Sequence, residues 1–125
     1  MLDIKKLLTK ILNALTTKQV TVSVTRSTGT LVSAVAYKYG KIVNLQVTVY
    51  NTASVAAGSN IFVGQINTNE LIPSMVVSGS SYWGSHSVGG TISQAGQIVA
   101  RNASPTAFAT SSSQPINLSF IYLVD

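Results

Sequence analysis

From Val43 to Val49 the chain alternates without a fault, with Val43, Leu45, Val47 and Val49 set against Asn44, Gln46 and Thr48. A period of two puts the four aliphatic side chains on one face of a strand and the polar ones on the other. Tyr39-Gly40-Lys41 just before it is a turn signal, and Ser33 to Tyr39 alternates again. The two runs are therefore expected to form a hairpin, with the rest of a β domain built outward from it.

The remaining segments extend that expectation. Val20, Val22 and Val24 alternate with Thr21 and Ser23 and predict a first strand, followed by a turn over Arg26–Thr30. Residues 51–58 form a connection, Ile61-Phe62-Val63 begins another strand, and Gly64 marks a bulge or a close approach. Asn67 to Pro73 is a loop, and Met75-Val76-Val77 is a short strand. The stretch Ser78–Gly90 is the least strand-like and the most suited to solvent. Thr91–Ser93 and Gln97–Arg101 make a hairpin around Ala95-Gly96, and a last strand runs from Ile116 to Val124. Eight or so short strands with Gly, Ser, Asn and Pro turns indicate one antiparallel β-sandwich of the jelly-roll or Greek-key kind. No internal repeat and no second domain is evident.

Residues 1–18 stand apart as an N-terminal helix, with the sandwich in residues 19–125. Ile4, Leu8, Ile11 and Leu15 follow steps of four, three and four, which is an apolar stripe on a helix from Leu2 to about Thr17. As heptads, Leu8 and Leu15 take one seam position and Ile4 and Ile11 the other, a choice that favours trimers or tetramers over dimers. Packing of the stripe on its own domain is the plainer alternative. A third, lying on an anionic membrane, lacks the Trp and Phe anchors usual there. The last strand points the same way as the seam: Ile121 and Leu123 make its second face apolar, and a strand apolar on both faces must be covered on both. Ile4, Leu8, Ile11, Leu15, Ile121 and Leu123 are accordingly the expected trimer contacts.

Composition narrows the chemistry. Charged residues are 9% of the chain, against about a quarter in ordinary domains, and Ser, Thr, Asn and Gln take their place. Half of the net charge of +5 and more sits in the helix, so the sandwich carries no basic patch of the kind nucleic acid requires. There is no Cys, which excludes disulfides and thiolate metal sites. No segment is long enough to span a bilayer, and Lys10 and Asn13 interrupt the N-terminal apolar stretch before it resembles a signal peptide.

Away from the helix and the last residue, Glu70 is the one acid and His86 the one imidazole. A glycosidase needs two carboxylates about the bond it cleaves. A Ser-His-acid triad would have to use His86 and Glu70 with no strand–turn elbow to present the serine. No enzyme activity, cofactor or metal site is therefore expected, and what remains is a binding surface. The loop Ser78–Gly90 is expected to contribute to a shallow saccharide site, where Tyr82 and Trp83 can stack on sugar rings and His86 can act as a neutral hydrogen-bonding group. Alternatively Trp83, the only tryptophan, plugs the end of the core.

Gly40-Lys-Ile-Val-Asn-Leu-Gln-Val, Gly90-Thr-Ile-Ser-Gln-Ala-Gly-Gln-Ile-Val99, the intervening Pro73 and the closing Ile-Asn-Leu-Ser-Phe-Ile-Tyr-Leu-Val carry a further likeness. Over about residues 30–125 the chain resembles the C-terminal head domain of a bacteriophage or prophage tail fibre or receptor-binding protein, of the kind coded by phages of Gram-positive gut bacteria. The resemblance implies a trimeric β-sandwich of jelly-roll or tumour-necrosis-factor-like form on a stalk, whose last turns are Leu2–Leu15. It implies a homotrimer at a virion fibre tip that adheres to a bacterial surface glycan. A purely structural trimerisation or capping module of the fibre is the alternative. The family's saccharide sites vary in position, so the resemblance assigns no binding residue.

Overall fold

The alternating Val43–Val49 run is a central strand, and its hairpin closes where the turn signal lies. The computed structural model describes residues 3–8 and 18–125. In it, β3 (Thr30–Tyr39) and β4 (Ile42–Tyr50) pair antiparallel around Gly40-Lys41. Val43, Leu45, Val47 and Val49 are all buried, while Asn44, Gln46 and Thr48 face outward. The other strands are β1 (Lys18–Val20), β2 (Val24–Thr28), β5 (Asn60–Ile66), β6 (Val77–Trp83), β7 (His86–Ile92), β8 (Gln97–Asn102) and β9 (Ile116–Leu123).

These strands form two antiparallel sheets, one ordered β1-β3-β4-β9 and the other β2-β5-β8-β7-β6. In the second, β6, β7 and β8 are a meander and β5 returns beside β8, which is the Greek-key order. The inner faces meet in one core. Leu45, Val47, Leu118 and Phe120 come from the first sheet, and Phe62, Ile66, Ile92 and Ile98 from the second. Tyr122 closes one end with its hydroxyl donating to the Leu71 carbonyl at 2.7 Å, and burial pushes its phenol well above its ordinary value.

Several segments differ from expectation for identifiable reasons. The Val20–Val24 run is not one strand. Val20 pairs with Ala36 in the first sheet and Val24 with Ile66 in the second, so the chain changes sheets between them. The corner is held from outside: Asn67 N donates to the Ser23 carbonyl at 2.8 Å, and Ser23 N donates to Thr68 Oγ1 at 2.9 Å. Corners of this kind are how sandwiches pass a strand between layers. The expected turn over Arg26–Thr30 is also shorter, because β2 continues to Thr28. Of Met75-Val76-Val77, only Val77 belongs to a strand.

The largest departure is Ser78–Gly90, expected as a loop and found as the β6–β7 hairpin. Trp83 and His86 face each other across a two-residue turn, Gly84-Ser85, with Gly84 at φ +59°. Two of the glycines that made the segment look irregular, Gly79 and Gly90, are required by packing. A Cβ on Gly90 would stand 2.8 Å from Cζ of Phe120, so the ring of β9 fills the space a side chain would need.

Strand β9 has the expected two-sided character. Ile116, Leu118, Phe120, Tyr122 and Val124 are buried, while Ile121 and Leu123 are 69% and 59% exposed. On that outer face Leu123 lies opposite Ile42, itself opposite Tyr39. One rung further in, Ile121 lies opposite Asn44, itself opposite Tyr37. The chain enters the sheet at this same end, with Lys18 opposite Lys38. Towards the other end the same face turns polar, with Ser119, Asn117 and Thr48.

Before the sandwich, residues 4–8 are helical, with Asp3 as the cap: its Oδ1 accepts from Lys6 N at 3.1 Å. Ile4 and Leu8 are exposed. Ile11 and Leu15, the other half of the expected seam, lie outside the described residues.

Candidate functional site

Alternation along β6 separates the aromatic candidates from one another. Ser78, Ser80 and Tyr82 point to the outer face of the five-stranded sheet, and Gly79, Ser81 and Trp83 point inward. Tyr82 is 74% exposed, whereas Trp83 is partly buried against the core. The two side chains therefore do not form one stacking platform.

Trp83 and His86 do come together, around Phe108. The Trp83 and Phe108 rings stack with centroids 5.4 Å apart and the His86 and Phe108 rings at 4.5 Å. Trp83 Nε1 donates to the Gln114 carbonyl at 2.9 Å. This is the plug arrangement, in which an indole covers apolar surface and satisfies its single donor.

Beneath the rings lies a polar knot. Asn102, fully buried, accepts through Oδ1 from Ser104 N at 2.9 Å and from Ser104 Oγ at 2.6 Å. Its Nδ2 donates to the carbonyls of Val55 and Thr106, both at 2.9 Å. Ser104 Oγ lies 3.2 Å from His86 Nδ1. The hydroxyl hydrogen is already committed to an oxygen, so Ser104 accepts from that nitrogen, the reverse of what a serine nucleophile needs from its base. The Ser104–His86 pair is thus a partly buried brace. Because every polar atom of Asn102 is paired, the long connections 51–59 and 103–110 are locked together at little electrostatic cost.

The outer face of the same sheet presents a different surface. Strand pairing sets Asn60, Arg101, Gly89 and Ser80 in one rung, and Val63, Val99, Thr91 and Ser78 in the next. Between them runs an open groove of about 580 Å³, lined by Ser78, Thr91, Val99, Arg101 and Ala103 over the backbone of Gly79, Gly89 and Gly90. Its floor is low because of Gly89, where an added Cβ would meet nothing nearer than Ala103 Cβ at 3.9 Å. Unlike Gly90, Gly89 has no packing partner that excludes a side chain. Tyr82 and Ser87 stand one rung beyond, on the same face.

The groove offers hydroxyls at its walls, a strip of apolar Val99, the backbone of its glycines and one guanidinium. That mixture suits a flat polyhydroxylated ligand. Of the sequence candidates, only Tyr82 shares this face. The segment Ser78–Gly90, expected to contribute to such a site, supplies Ser78, Ser80 and Gly89, while sequence reasoning missed Thr91 and Arg101. The signals were present in the Ser78-Ser80-Tyr82 alternation and in Arg101 falling in phase with Gln97 and Val99.

Among the described residues no group of three or more His, Cys, Asp or Glu could hold a metal ion, and no helix is long and apolar enough to cross a membrane. No protein-family model, no curated protein and no solved structure matches the chain.

Proposed function

We propose that the chain is a non-catalytic adhesion head of the bacteriophage tail-fibre type, which takes a bacterial surface saccharide on the outer face of its five-stranded sheet. The observation that carries this reading is the groove over Gly89: hydroxyl-walled, apolar at one strip and open because a side chain is missing where there is room for one. A rigid sheet holds these groups in fixed register, which reduces the ordering cost of binding. Each site is weak, since a sugar exchanges hydrogen bonds with water for bonds with protein at small net gain. A homotrimer at the fibre tip multiplies that affinity by avidity. The exposed apolar end around Ile42, Ile121 and Leu123 supports such an assembly, and the polar sandwich surface suits extracellular action. The jelly-roll or tumour-necrosis-factor-like form belongs to the same proposal. Four connections between successive strands, β1–β2, β2–β3, β4–β5 and β8–β9, cross between the sheets.

The test is a glycan array probed with the wild-type chain and with Gly89→Val. Valine suits a strand, and its Cβ enters the groove with nothing nearer than Ala103 Cβ at 3.9 Å. Wild-type signals that vanish in Gly89→Val at unchanged melting temperature support the site. A wild-type chain that binds no glycan leaves the structural capping module as the function.

A further inference from the structure

The proposed saccharide groove contains one ionic group, and that group is held in place without an ionic partner. Arg101 Nε donates to the Gly58 carbonyl at 3.1 Å, and Arg101 makes no ion pair among the described residues. The other described cations differ in this respect or in place. Lys38 Nζ lies 3.7 Å from Glu70 Oε2, and Arg26 Nη1 donates to the Gly29 carbonyl at 2.8 Å within its own turn. The chain has three acidic residues, Asp3, Glu70 and Asp125, and none of them lines the groove.

The carbonyl that holds Arg101 is itself fixed. Gly58 N donates to the Asn102 carbonyl at 2.8 Å, and Asn102 N donates to the Ser59 carbonyl at 2.9 Å. The Asn102 side chain in turn ties this turn to Val55 and Thr106. A guanidinium anchored through Nε keeps its plane while its two terminal nitrogens remain available. That fork matches the paired oxygens of a carboxylate or a phosphate. Gly89 sits directly beside Arg101 in the rung, with Ser80 beyond it and Asn60 on the other side. An anionic group on Arg101 therefore leaves the attached sugar ring over the glycine floor, within the span of the Ser80 and Asn60 side chains.

Resting on the saccharide reading above, we infer that the groove selects an anionic saccharide, one bearing a uronate carboxylate or a phosphodiester, with Arg101 as the residue that sets the preference. Neutral sugars keep the hydroxyl contacts but leave the fork with water alone.

The experiment titrates the full chain with a hexuronate oligosaccharide, its neutral methyl ester, a phosphodiester-linked sugar polymer and a neutral hexose oligosaccharide. Wild type and Arg101→Gln are compared, with Arg101→Lys retaining charge without the fork. At least one anionic probe is expected to bind about tenfold or more tightly than the neutral probes, the scale of a hydrogen bond to a charged group. That advantage should shrink with added salt and disappear in Arg101→Gln, with Arg101→Lys in between. Whether the uronate or the phosphodiester shows it identifies the source of the anion. Binding of both anionic probes no tighter than that of the neutral probes, unaffected by Arg101→Gln, overturns the anionic preference and leaves the saccharide site standing. Failure of every probe, with no array signal lost in Gly89→Val, overturns the saccharide site itself.

Discussion

Gly89 and Gly90 are neighbours in β7 and answer to different constraints. Gly90 faces the core, where a Cβ would come within 2.8 Å of Phe120 Cζ and 3.3 Å of Leu118 Cδ2. Gly90→Ala should destabilise the fold by about 1–3 kcal/mol, the usual cost of overpacking. Gly89 faces the groove and meets only Ala103. Gly89→Ala should be neutral or stabilise by up to about 1 kcal/mol, because it reduces the freedom of the unfolded chain at no cost in the folded one. Urea melts of the two variants check both signs, and equal losses would show that the outer face has less room than its geometry indicates. One glycine thus serves packing and the other leaves the groove open.

The β6–β7 hairpin is the element that serves both the core and the groove. Its inner edge carries Trp83 and His86 against Phe108, and its outer edge carries Ser78, Ser80 and Tyr82. Functions on opposite faces of one strand should separate by mutation. Trp83→Ala removes a partly buried indole and its bond to the Gln114 carbonyl, and should cost about 2 kcal/mol, below the range for a fully buried aromatic. Saccharide binding per folded molecule should survive, because the indole lies across the sheet from the groove. Thermal melts combined with array binding at low temperature test the two outcomes together. Loss of all glycan signal in a folded Trp83→Ala chain would move the site to the Trp83 end of the hairpin.

For the whole molecule, the question is what covers the apolar end of the four-stranded sheet. Tyr37, Ile42, Ile121 and Leu123 share that face, with Met75 and Val76 exposed beside β9. Asn44 lies among them with Oδ1 buried and no hydrogen-bond partner among the described residues. The chain enters the sheet at this end, with Lys18 opposite Lys38. Light scattering at micromolar concentration should give three times the 13.1 kDa chain mass. Ile121→Ser combined with Leu123→Ser should reduce it to a single chain, since neither side chain contributes to the core. A wild-type mass of 13.1 kDa overturns the trimer.

Much of the sandwich was legible in the residues alone. The β3–β4 and β7–β8 hairpins and strand β9 announce themselves because one face is buried and the other is not, and a period of two records that difference locally. The exposed second face of β9 was legible for the same reason. Strand β6 and β7 as far as Gly90 were hidden because glycine stands where apolar residues are expected, and the reason is Phe120, far along the chain. The switch between Val20 and Val24 was hidden too, since alternation continues through a corner that Asn67 and Thr68 hold from a distant segment. The groove depended still more on tertiary structure. Composition excluded most catalytic chemistry and drew attention to Tyr82, Trp83 and His86, but their faces were undefined until β6 was a strand. Arg101, Gly89 and Ser80 are neighbours only because three strands pair in one register, and register is set by which side chains the core accepts.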